Sequence, residues 1–122
     1  MSRILIHEPP ECHDDCLTLL AGKGDEVIVC QDRESLVGAL ADRRPDILVY
    51  VIRDLTDDYG LLRDLRRVAP MLPIILLGGP NDLASRRNIQ ELKPTYYGVF
   101  PLEASELSDA VRGALHRGPS RA

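Results

Sequence analysis

Short apolar runs recur along the chain, each followed by a stretch with helical spacing. The five runs are Ile4-Leu5-Ile6, Val27-Ile28-Val29, Ile47–Ile52, Ile74-Ile75-Leu76-Leu77 and Tyr97-Gly98-Val99-Phe100. Runs this short, rich in β-branched residues and bounded by charged residues, Gly or Pro, read as strands. The first two extend as Arg3–His7 and Glu26–Cys30, and the fifth covers 97–100. The third, within 45–54, is the longest and shows no alternation. That is the mark of a strand buried on both faces at the centre of a parallel sheet.

The intervening stretches carry one apolar stripe apiece. In 12–21, Cys16, Leu19 and Leu20 share a face, and Gly22-Lys23-Gly24 ends the helix. Asp32 is placed to cap a second helix, whose stripe is Leu36, Val37, Leu40 and Ala41. An acidic loop over 53–59 holds Asp54, Asp57 and Asp58. Gly60 is expected to open a third helix, with Leu61, Leu62, Leu65 and Val68 inward and Arg63, Arg66 and Arg67 outward. The fourth, 82–92, is weakly patterned around Leu83, Ile89 and Leu92, so loose attachment is expected, and Pro94 stops it. The last, 104–116, turns Leu107, Val111, Ala114 and Leu115 to one side.

Strand and helix alternate five times. This predicts an α/β fold: a three-layer α/β/α sandwich around a flavodoxin-like, doubly wound (βα)5 parallel sheet of order 2-1-3-4-5. The crevice at the carboxyl ends of strands one and three is then the expected site. One domain is expected over 1–117, with 118–122 a tail or the start of a linker.

Composition narrows the function classes. The chain has 122 residues, 44% hydrophobic and 28% charged, which suits one soluble globular domain. A net charge of −4 removes any global attraction to nucleic acid or anionic membrane. Aromatic residues at 4%, with no Trp, leave little to stack on single-stranded bases. No apolar run approaches the roughly 20 residues of a membrane helix, and a cytoplasmic location is expected. The three cysteines, Cys12, Cys16 and Cys30, are an odd number without a secretion signal, which argues for reduced thiols. Cys12 and Cys16 with His13 suggest metal spacing, but a fourth ligand is lacking. Small buried hydrophobes are the simpler reading, and no cofactor is expected.

Several pieces follow one another in a telling order: Arg3-Ile4-Leu5-Ile6, Asp32-Arg33-Glu34, Arg44-Pro45-Asp46-Ile47-Leu48-Val49, Gly60-Leu61-Leu62-Arg63, Pro73-Ile74-Ile75-Leu76-Leu77, and Phe100-Pro101-Leu102 before Glu106-Leu107. In that spacing the chain resembles the receiver domain of response regulators in two-component signalling, over about 3–117. The resemblance implies phosphoryl transfer to an aspartate, with magnesium held by an acid pair after the first strand. It also implies a hydroxyl after the fourth strand and a lysine after the fifth, both on the phosphoryl oxygens. The acceptor position falls on Val51, or on Ile52 counting back from Gly60. The hydroxyl position falls on Gly78 and the lysine position on Phe100, ahead of a bond to Pro101 that is commonly cis in the family. The acid pair reduces to Glu8, flanked by His7 and Pro9.

Glu8 alone keeps a required group. With these departures the resemblance implies a degenerate receiver: a phosphorylation-independent protein-interaction module in signalling, and not an enzyme. Val51 and Phe100 would fill the pocket with hydrocarbon, at roughly 1.5–3 kcal/mol for each buried side chain. Tyr97 matches the family's switch aromatic, whose hydroxyl partner would be Gly78. Such domains meet partners or dimerise through the fourth helix, fifth strand and fifth helix. That puts Arg86, Ile89, Tyr96 and Tyr97 on the expected interaction face, with a signalling or output protein, or a second copy, as the partner. Nucleic acid and membrane are not expected as direct partners.

Two other functions stay open at this level. One is a phosphorylatable receiver that uses Asp54 with magnesium, although Asp54 lies two or three residues late, about 7–10 Å along an extended chain. The other is a small α/β hydrolase or metal-dependent enzyme that uses His7, Glu8 and Asp54, although no nucleophile motif accompanies them.

Overall fold

The computed structural model describes residues 2–8, 20, 24–53, 55–78, 83–98 and 103–117. Five parallel strands, β1 (Arg3–His7), β2 (Glu26–Cys30), β3 (Ile47–Ile52), β4 (Ile74–Gly78) and β5 (Tyr96–Gly98), form one sheet of order β2-β1-β3-β4-β5. Four helices are described: α1 (Arg33–Asp42), α2 (Leu55–Val68), α3 (Leu83–Glu91) and α4 (Ala104–Arg117). The sandwich and its strand order are those expected from the alternation of the sequence. The helix expected over 12–21 falls, Leu20 apart, outside the described residues, as do Cys12, Cys16, Asp54, Phe100 and Pro101.

All residues of β3 are buried, which is why its sequence carries no alternation. Period-two alternation sends its side chains to two cores. Leu48, Tyr50 and Ile52 join Leu5 and Leu76 against Leu36 of α1, Leu62 and Leu65 of α2, and Ile89 of α3. Val49 and Val51 join Ile4, Ile6 and Leu77 against Leu20 and, on α4, Leu107 and Val111.

Helix ends follow local chemistry. Asp32 caps α1, its carboxylate accepting the Ser35 backbone N–H at 2.8 Å. α2 begins at Leu55 and not at Gly60, which corrects the sequence expectation. Asp57 and Asp58 therefore stand in its first turn, where carboxylates complement the helix N-terminus. Gly60 lies inside α2 with open space where a Cβ would sit, so it acts as an ordinary helical residue.

Two apolar stripes are narrower than expected. Val37 is 49% and Val68 84% exposed, and Ala41 is exposed as well. Arg66, expected to point outward, instead folds over the structure. Its guanidinium donates to the carbonyls of Leu92, Pro70, Leu72 and Lys93, joining the end of α2, the turn before β4 and the end of α3. Burial of Ile89 and Leu92 completes that joint, so α3 is better anchored than its weak pattern suggested.

Candidate functional site

The carboxyl edge of the sheet gathers the residues at which function was expected. Register sets His7 beside Tyr50, Tyr50 beside Leu76, and Ile52 beside Gly78. His7 and Tyr50 point to the same face, and their rings stack with centroids 4.5 Å apart and planes 10° from parallel. The Tyr50 hydroxyl donates to Asp58 Oδ1 at 2.8 Å. The other oxygen of Asp58 accepts the Arg53 backbone N–H at 3.0 Å. Asp58 therefore fastens the start of α2 to the end of β3. A pocket of about 280 Å³ opens beside this group, lined by His7, Gln31, Asp32, Arg33, Tyr50, Val51, Arg53, Asp58 and Leu61.

Burial shifts the two stacked rings towards their neutral forms. Burial pushes the Tyr50 phenol well above its ordinary range, and its bond to Asp58 adds to the shift, so it stays protonated. Burial lowers the His7 pKa below its ordinary 6.5, although Asp58 and Asp32 pull the other way. Nδ1 of His7 is buried without a hydrogen-bond partner. Cys30 is a free, buried thiol whose pKa is raised by burial and by Asp32. It packs in the core as a small hydrophobe.

Of the positions that the resemblance assigns to an aspartyl-phosphate cycle, Glu8, Val51 and Gly78 lie among the described residues, and Asp54 lies outside them. Val51 is only 4% exposed and packs with the Ile6, Val49 and Leu77 cluster. Gly78 is buried with φ of +82°, a conformation that side-chain-bearing residues rarely adopt. Glu8 continues the ladder past β1, its N–H donating to the Cys30 carbonyl at 3.0 Å. Among the described residues, no three His, Cys, Asp or Glu side chains lie together as a metal-binding group. Among the described residues, the position that the resemblance assigns to the acceptor carboxylate holds Val51, which offers magnesium no oxygen donor.

The expected interaction face is only partly assembled. Arg86 is exposed, whereas Ile89 is 2% exposed and belongs to the core beneath the face. Tyr96 and Tyr97 are half-buried on opposite faces of β5: Tyr96 lies against the α4 side, where its hydroxyl bonds to Glu106, and Tyr97 against the core that holds Ile89. Tyr50 was missed at the sequence level. Its signal was a lone phenol inside an aliphatic strand, a group that needs a partner when buried.

The fold places this geometry in a known class. A two-component response regulator from Clostridium difficile superposes with a TM-score of 0.82 at 24% identity, covering 96% of this chain and 98% of that one. The signal receiver domain of a modulated diguanylate cyclase from Desulfovibrio desulfuricans G20 gives 0.78 at 24% identity, covering 96% and 95%. In sequence, the probable transcriptional regulator ycf27 of Cyanophora paradoxa is 32% identical over 101 residues. That match covers 82% of this chain and 42% of the relative, so the chain spans about two fifths of the relative's length. No family model matches the chain. In fold and strand order the chain is similar to these receiver domains, and its sequence similarity to ycf27 spans 82% of the chain.

Proposed function

We propose that this domain is an atypical receiver that acts as a phosphorylation-independent protein-interaction module in signalling. The observation that carries the proposal is Val51, an aliphatic residue 4% exposed at the end of the central strand, packed with Ile6, Val49 and Leu77 and bordering the pocket at that edge. Gly78 supports it, because its left-handed backbone suits no hydroxyl-bearing residue at the neighbouring strand end. With no carboxylate at the acceptor position that the resemblance assigns, the role we give the fold is recognition, in the cytoplasm, with a signalling or output protein as partner. Arg86, Tyr96 and Tyr97 are the surface we assign to that contact or to a homodimer, with Ile89 supporting it from below.

Incubation with a small acyl phosphate and magnesium, read by intact mass, tests the proposal. The expected result is an unchanged mass under conditions that label an active receiver. A single added phosphoryl group, mapped to Asp54 or to any other aspartate, would overturn it. Loss of partner capture on Tyr97→Ala, with the fold intact, is the result expected at the interaction face.

A further inference from the structure

A second surface lies away from β5 and adjoins the sheet-edge pocket, with which it shares Arg33 and Leu61. Between α1 and α2 runs a groove of about 540 Å³. Its walls are apolar: Val37, Leu40 and Ala41 from α1, and Leu61, Leu65 and Val68 from α2. Val37 and Val68 stand exposed on its rim although both belong to helical stripes that normally close on a core. Exposed aliphatic side chains grouped along one groove mark an interaction site, whereas scattered ones do not.

Charge identifies the occupant. Arg33 opens α1 and Arg44 lies just past its end, and both line the groove and are exposed. The eleven steps between them span roughly 16 Å at helical rise, about three helical turns. Asp64 is the one acidic residue along the lining. The groove is thus apolar along its length and cationic at its two ends, in a chain whose net charge is −4.

We propose that this groove receives a single amphipathic helix of a partner protein, about three turns long, with apolar residues at i, i+3 or i+4, and i+7 and a carboxylate side chain near each end. This rests on the reading of the domain as a protein-binding module and adds a partner class to it. Arg33 and Arg44 set the length and register of the helix, and Asp64 excludes a carboxylate from its middle.

A displayed library of short amphipathic helices, randomised at apolar and flanking positions, is selected on the whole chain and counter-selected on a Val37→Lys/Val68→Lys variant. Both valines are exposed, so the variant keeps its core. The enriched helices are expected to share the apolar spacing and to carry Asp or Glu at both ends. Val37→Lys and Arg44→Glu are each expected to weaken them by about tenfold or more, and added salt to weaken them further. Tyr97→Ala is expected to leave their binding unchanged. Enrichment of Lys- or Arg-ended helices, or no preference for the wild-type groove, would overturn the inference. Self-association abolished by Val37→Lys would overturn it in favour of a second copy. Failure here leaves the mass experiment untouched, and an adduct there would sink the phosphorylation-independent reading without moving these affinities.

Discussion

Replacing Val51 with Asp would restore the residue type that an active receiver needs, at a site built for hydrocarbon. Val51 is 4% exposed and packs with Ile6, Val49 and Leu77, so the new carboxyl would be largely desolvated even though Val51 also borders the sheet-edge pocket. Losing the buried valine removes roughly 1.5–3 kcal/mol. Holding the carboxyl neutral, with its pKa raised by about 3 units, costs about 4 kcal/mol near pH 7. The total, about 5–7 kcal/mol, is comparable with the whole stability of a small domain, about 5–15 kcal/mol.

The pH dependence follows from the sign of that shift. A carboxyl whose folded pKa is raised binds more protons in the folded chain, so the variant loses stability as pH rises from about 4 to about 7. Near pH 5 the penalty falls to about 3–5 kcal/mol. Urea unfolding of wild type and variant at both pH values, with and without millimolar magnesium, measures all of this. A penalty under about 1 kcal/mol, or full rescue by magnesium, would show that the pocket Val51 borders hydrates a carboxylate and accepts a cation, and the reasoning would fail.

Three further predictions rest on separate contacts. Arg66→Ala removes the donor for four backbone carbonyls and should destabilise the domain by about 2–4 kcal/mol in urea unfolding, with Arg66→Lys recovering only part of it. Folding lowers the pKa of His7 below 6.5, so the unfolded chain holds more protons between the two values; the stabilising contribution is complete above 6.5 and is lost as pH falls through the folded value, a dependence that His7→Phe should flatten. Gly78→Thr should cost about 1–3 kcal/mol through its left-handed backbone, and Val51→Asp/Gly78→Thr should still take no phosphoryl group from an acyl phosphate by intact mass.

The sheet was legible because its signal is local. β1 and β2 run over Arg3–His7 and Glu26–Cys30 as their apolar runs indicate, and burial of both faces of β3 shows directly as an unbroken apolar run. Helix boundaries and exposed faces were less legible. Gly60 read as a punctuation mark, yet α2 starts earlier, where Asp57 and Asp58 complement its N-terminus. Val37 and Val68 read as core because periodicity reports a stripe without reporting whether anything covers it. Arg66 read as a solvated charge because its acceptors are carbonyls brought together only by the fold. At the site, the hydrocarbon at Val51 was readable from position alone. The stack of His7 on Tyr50 was not, because it depends on the register of β1 against β3.

The most direct measurement is an amide NMR spectrum of the labelled domain titrated with magnesium and beryllofluoride, a phosphoryl mimic that requires an aspartate. If the edge of β3 lacks phosphoryl chemistry, the signals of Val51, Ile52, Arg53 and Gly78 stay where they are at saturating additive. Shifts that cluster on those residues and spread to Tyr97 would contradict the account.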